Sequence, residues 1–297
     1  MNLIELLKQE SEKIKTEIHI LLGYSEIIYD PTYKTYVQGI ELPGLIGKHI
    51  WKELPLEGKQ LQSKLNEIHQ IYTSKIKLFL RSLPTYPYSE AMSEADYIKH
   101  IILQDLFPDH YSMDIIMEQI DKSFKFINNS LKTIYTYSSN SILLVVDANA
   151  LLYNTMIDKW GFADFDKFII VLTPTLISEL DDIKTNQRKT QELRTKARTI
   201  INQINEYDRR GDILKSVNVF DNKIFIMSEP LEPNFQYTLS FLNPNIKDDR
   251  YVATALEIMR KHNASQVYLV TADFNLKQKC RMSSVPVLLP PEPIEKN

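Results

Sequence analysis

Apolar residues in the first part of the chain recur at helical spacing. Leu3, Leu7, Ile14, Ile18 and Leu21 share one helical face. Leu61, Leu65, Ile68, Tyr72, Ile76 and Phe79 form a second face, and Ile116, Ile120, Phe124, Ile127, Leu131 and Ile134 a third. Prolines and glycines in "ELPGLIGK" (41–48) and "LPTYPYSE" (83–90) predict loops. Ser93 with Asp96 three residues on predicts a capping box before "YIKHII". Past a short polar link at Ser138–Ser141 the period changes. Strands are expected at Ile142–Val146, Phe168–Leu172, Lys223–Met227, Val267–Val270 and Val285–Leu289. Helices are expected to start near Pro174, Thr190 and Asp248. This alternation predicts an α/β fold, a parallel sheet flanked by helices, preceded by an all-α N-terminal domain. The expected division is 1–138, 139–291 and a loose tail at 292–297.

Composition narrows the class. A chain of 297 residues, 43% hydrophobic and 25% charged, has ample material for a core. The single cysteine, Cys280, excludes a disulfide framework and a cysteine-rich zinc site, and suits a reducing cytoplasm. No apolar run approaches the ~20 residues of a membrane span. The early Glu5, Lys8 and Glu10 do not read as a signal peptide. A cytoplasmic protein without a membrane partner is expected. Net charge is -3, yet Lys184 to Arg210 holds eight basic residues against three acidic ones. Such a local stripe suits a polyanion.

Four acids stand where packing has no use for them. Asp147 closes the buried run "ILLVV", and Asp273 follows "VYLV" in "VTADFN". In a parallel sheet both emerge at the carboxyl edge, where functional groups gather. Glu179 shares a helical face with Leu176 and Ile183, behind a Thr173 cap and Pro174 at the first helical position. The fourth acid is Asp248 or Asp249 in "DDRYVATALEIM", and periodicity does not choose between them. Singly, these residues have plain structural uses: dipole pairing for Asp248 and Asp249, a turn for Asp273. Glu179, mid-helix on an apolar face, has none. Four acids without basic partners in sequence repel one another unless cations sit among them or some are protonated. Hard oxygen donors suit Mg²⁺ or Mn²⁺, and two such ions ~4 Å apart can hydrolyse a phosphodiester.

In this order, "VVDAN", "ISELDDIK", "DDRYVATAL" and "LVTADFN" resemble the PIN nuclease family over residues 141–290. The wording is nearest to the longer PIN domains, such as those of RNA surveillance. The resemblance assigns Asp147, Glu179, Asp249 and Asp273 as catalytic residues and metal ligands. Asn149, Thr271, Asn275 and Asp248 become supporting polar positions, with Asn149 bracing Asp147. Asn275 stands where many bacterial members carry Asp, and Ala148 where Thr or Ser is frequent. The implied activity is a divalent-metal-dependent endoribonuclease. RNA is the implied partner, with Arg188, Arg194, Lys196 and Arg198 as binding candidates. Tyr153 is a further candidate, for base stacking.

Other readings are weaker. "GLIGKH" lacks the spacing and hydroxyl of a phosphate-binding loop. Seven glycines include no Gly-x-Gly-x-x-Gly and no Gly-x-Ser-x-Gly. Haloacid-type phosphatases need a second Asp where Asn149 stands. The alternative from another class is a noncatalytic nucleic-acid-binding or scaffold protein. The helical domain would serve a protein partner or oligomerisation, and a toxin or phage-defence role fits the same chemistry.

Overall fold

The computed structural model describes residues 2–37, 40–105, 108, 112–135 and 141–293. Ser138 to Asn140 of the expected link and the last four residues of the tail lie outside the described residues. The chain divides into two compact units, Leu7–Ile134 and Met1–Leu6 with Tyr135–Asn297.

The N-terminal region holds α1 (Leu3–Gly23), α2 (Leu56–Leu80), α3 (Thr85–Leu103) and α4 (Met113–Ile134). The predicted faces are its core: Leu7, Ile14, Ile18, Leu65, Tyr72, Ile76, Phe79, Ile116, Ile120 and Ile127 are all enclosed. To these helices the structure adds an antiparallel hairpin, β1 (Ile27–Val37) with β2 (Ile40–Trp51). The stretch expected to be the loop "ELPGLIGK" is part of β2. Its glycine relieves crowding rather than breaking the strand. Gly47 has φ +87°, and a Cβ there would strike the Tyr29 hydroxyl. The second expected loop is also regular, because α3 begins at Thr85 and takes in Pro87. Proline fits the first turn, where the backbone N–H has no intrahelical partner. Ser93 is therefore mid-helix and caps nothing.

The second unit is built on a six-stranded sheet in the order β5-β6-β4-β3-β7-β8. Four expected strands appear close to their predicted bounds: β3 (Ile142–Val146), β4 (Phe168–Leu172), β6 (Ile224–Ser228) and β7 (Gln266–Val270). β8 shrinks to Val287–Leu288. β5 (Val217–Phe220), which was not anticipated, pairs antiparallel with β6, and all other pairings are parallel. The turn between β5 and β6 puts Asp221 (φ 47°) and Asn222 (φ 54°) in the left-handed region. Asp and Asn tolerate this better than other side chains, so "VFDNKI" was a hairpin signal in plain view.

Helices α5 (Ala148–Tyr153), α6 (Pro174–Thr185), α7 (Gln191–Arg210), α8 (Lys247–Lys261) and α9 (Phe274–Met282) connect or follow the strands. Thr173 caps α6 by accepting from Leu176 N–H at 3.4 Å, with Pro174 at the first position as expected. β3 lies between β4 and β7 with parallel registers. The carboxyl ends of these three strands therefore lie side by side. The chain after β8 is held as far as Glu292: Asn154 Nδ2 donates to the carbonyls of Pro291 (3.1 Å) and Glu292 (3.3 Å). No helix among the described residues is long and apolar enough to cross a membrane.

Candidate active site

Asp147 leaves β3 at its carboxyl end and is 2% exposed. Its carboxylate is held on both oxygens. Oδ1 accepts from Ala150 N–H at 2.7 Å, which makes Asp147 the N-cap of α5. Oδ2 accepts from the Thr271 hydroxyl at 2.5 Å, across the junction of β3 and β7. Burial pushes the carboxyl up to about 6, and those two bonds only partly offset it. Glu179 and Asp273 raise it further. Asp147 therefore lies in the field of two of the acids expected to converge with it.

Thr271 is the joint between two of them. Its oxygen also accepts from Asp273 N–H at 2.9 Å. Asp273 in turn caps α9, its Oδ1 accepting from Leu276 N–H at 3.0 Å. Its Oδ2 has no hydrogen-bond partner among the described residues. Glu179 stands on α6 between the enclosed Leu176 and Ile183, with its side chain 21% exposed. The Tyr251 hydroxyl donates to its Oε2 at 3.0 Å. Tyr251 is itself buried, and burial together with Glu179 and Asp147 holds its phenol well above 10. It thus stays a neutral donor, also facing the Ala148 backbone N–H.

Asp249 and Asp248 part company. Asp249 has a side chain 6% exposed, and Asp248 one of 35%. Asp249 Oδ2 accepts from Asn243 N–H at 2.9 Å, and its Oδ1 lies 2.7 Å from Lys279 Nζ. Asp248 also faces Lys279, at 3.6 Å. The acids are thus not without basic partners, as sequence proximity implied. Lys279 comes from α9, and Lys247 Nζ lies 3.8 Å from Glu179 and 3.7 Å from Asp182. Beside Glu179 a cleft of about 410 Å³ opens, lined also by Asp182, Asn186, Lys189 and Lys247.

Residues 144–288 match the family model described as PIN domain. On that match this part of the chain has the PIN domain fold. No curated protein matches the chain. The PIN domain is a nuclease fold, and its members usually use divalent metals.

The donors of this PIN domain fit such a cation in chemistry. Asp147, Glu179 and Asp273 offer hard oxygens, and the two groups bonded to the Asp147 carboxylate, a hydroxyl and a backbone N–H, are both neutral. Asp249 is already committed to Lys279. As they stand, no three His, Cys, Asp or Glu side chains among the described residues are arranged to hold a metal ion.

The supporting positions are placed unevenly. Thr271 is central. Asn149 is exposed on α5, and the bracing expected of it comes from Ala150 N–H and Thr271 instead. Asn275 is exposed on the first turn of α9. The stripe on α7 is partly spent within the helix: Arg194 donates to Gln191 at 2.7 Å and Lys196 pairs with Glu192 at 2.9 Å. Arg188 and Arg198 are exposed. Of the expected buried face of α7, Ala197 and Ile200 are enclosed, while Leu193, Ile201 and Ile204 are half-buried. Tyr153 is exposed, its hydroxyl bonded to Glu292. Cys280 is buried, and burial, with Asp147 and Asp248 nearby, pushes its thiol up to about 12, so it is inert.

Sequence reasoning missed Tyr251, Lys247 and Lys279. Tyr251 sits beside Asp249 in an apolar stretch, where a tyrosine reads as core. Only the 72-residue jump to Glu179 reveals its use.

Proposed function

We propose that the chain is a divalent-metal-dependent endonuclease acting on RNA. The observation that carries this reading is the buried Asp147 carboxylate, fixed by two neutral donors with Glu179 and Asp273 in its field. Asp147, Glu179 and Asp273 would hold Mg²⁺ or Mn²⁺. When bound, the ion supplies charge stabilisation for the phosphodiester and an activated water.

The chain's own residues do the positioning. Thr271 fixes Asp147 and Asp273 relative to each other through one oxygen. Tyr251 orients Glu179. Lys279, from α9, pairs with Asp249 in the first turn of α8, so this fourth acid would join the cation only by exchanging its lysine. Lys247 and Lys189, at the cleft beside Glu179, together with Arg188, Arg194, Lys196 and Arg198, would meet phosphates in a salt-sensitive, sequence-tolerant way. Hydrolysis would leave a 3′-hydroxyl and a 5′-phosphate.

The test uses labelled single-stranded RNA, structured RNA and single-stranded DNA with Mn²⁺ or Mg²⁺. Asp147→Asn and Glu179→Gln are the controls. Cleavage of RNA by the wild type alone supports the proposal; equal cleavage by wild type and variants sinks it. A second reading, a noncatalytic nucleic-acid-binding scaffold, is favoured by the Lys279–Asp249 pair and by the helix-capping use of Asp147 and Asp273. Absence of both cleavage and calorimetric Mn²⁺ binding in the wild type would select it.

A further inference from the structure

Helix α9 starts one residue past Asp273. Phe274, Lys277, Gln278 and Arg281 follow at i, i+3, i+4 and i+7, so they share one face. Leu276 and Cys280, on the other side, are buried. Phe274 is 68% exposed, the most open phenylalanine among the described residues, and its ring has no ring partner there. Neither Lys277 nor Arg281 has an ion-pair partner among the described residues. The third cation of the helix, Lys279, points elsewhere and is committed to Asp249 and Asp248. Lys277 and Arg281 also border a cavity of about 530 Å³ floored by Tyr268, Val285, Val287 and Leu288.

We infer that this face of α9 is a track for single-stranded nucleic acid leading from the acidic site. The inference rests on the nuclease reading and adds the surface along which the strand would run. A base stacks on Phe274 directly beside Asp273, and the phosphates that follow meet Lys277 and Arg281. An exposed flat ring selects unpaired strands, because in a duplex the base faces are covered by their neighbours. Two unpaired cations in line with that ring supply the charge complementarity, without regard to sequence. α7 differs: it carries more cations but no exposed ring, and its Arg194 and Lys196 already have partners in the same helix.

Binding of the full chain to a short labelled oligouridylate, and to an RNA duplex of equal length, is measured by fluorescence anisotropy in EDTA. Replacing both Lys277 and Arg281 by Ser is expected to weaken oligouridylate binding at least about tenfold and to flatten the log–log salt slope by about 1.4. Phe274→Ala is expected to weaken it roughly 5- to 100-fold, to leave the slope unchanged and to spare the duplex; Phe274→Trp restores it. Unchanged affinity in both variants overturns the track, as does equal loss for duplex and single strand. Polyglutamate binding that matches the oligouridylate and depends on the same residues overturns it too.

Hydrolysis of bis(4-nitrophenyl) phosphate with Mn²⁺ separates the two claims, since that ester has no strand to follow. Ester hydrolysis by the wild type with normal strand binding by the variants removes the track and leaves the nuclease. Strand binding that depends on α9, with neither ester nor RNA hydrolysis in the wild type, keeps the track and removes the nuclease.

Discussion

Lys75 in the N-terminal unit and Asp147 in the PIN domain are equally enclosed, at 2% exposure each. Their company differs. Lys75 Nζ meets both oxygens of Glu10, at 2.8 and 2.9 Å. Burial pulls its ammonium down and Glu10 pushes back. Asp147 meets a hydroxyl and a backbone N–H, with two further acids in its field. A buried charge given an opposite partner serves the fold. One given neutral donors and like charges is strained, and the strain is relieved only by a proton or a cation. Position in the fold agrees: Glu10 and Lys75 join two helices, whereas Asp147 lies at the carboxyl edge of a parallel sheet.

This contrast can be broken at several points. The largest effect is expected from Asp147→Asn, which should lower metal-dependent RNA cleavage roughly 10³-fold while leaving the fold intact by circular dichroism. Retained cleavage would remove Asp147 from the site. Lys75→Ala should do the reverse. It should cost about 3 kcal/mol in urea unfolding by removing the buried ion pair with Glu10, and leave cleavage per folded molecule unchanged.

The pH dependence of stability sharpens the same point. Asp147 rises from 3.8 to about 6 on folding, so the folded state binds its proton more tightly than the unfolded state. The stabilising contribution of that proton is full below about pH 4 and lost as pH climbs through about 6. Relative to Asp147→Asn, the wild type should lose roughly 3 kcal/mol across that window, measured by denaturant unfolding at each pH. A parallel pH course in the two proteins would show that folding does not shift the Asp147 carboxyl.

The smallest effect concerns orientation. Tyr251→Phe removes only the hydroxyl that donates to Glu179. It should reduce cleavage about tenfold and weaken Mn²⁺ binding by calorimetry, since one charged-group hydrogen bond contributes about 1.5–3 kcal/mol. If Mn²⁺ binding is unchanged, Tyr251 is packing only.

Much of the sheet was legible because its strands are short apolar runs separated by capped helices. Ile142–Val146 is enclosed at every position, and Thr173-Pro174 starts α6 as its chemistry demands. The N-terminal hairpin was not legible. Pro43, Gly44 and Gly47 signal a loop by local preference, whereas β2 absorbs them through irregular register with β1. α3 hid in the same way, because a proline in a first turn reads as a break when the helix start is unknown. In the site, the acids could be named one by one from their misfit with packing. Their lysines could not, since Lys279 and Asp249 lie on different helices and nothing local links them.

Residue order alone marks which side chains are out of place: a carboxylate after a buried strand, another inside an apolar helical face, and an aspartate where β7 ends. It also determined the strand–helix alternation that makes a parallel sheet, because periodicity is a local property of the chain. Their company is set by folding. Thr271 reaches Asp147 across 124 residues, and Tyr251 reaches Glu179 from another helix. Lys279 claims Asp249, and α9 presents Phe274 and Arg281 to solvent with Lys277 half-buried on the same face. Electrostatic fields and hydrogen bonds act through space at a few ångströms, so they appear only once the strands have been set side by side.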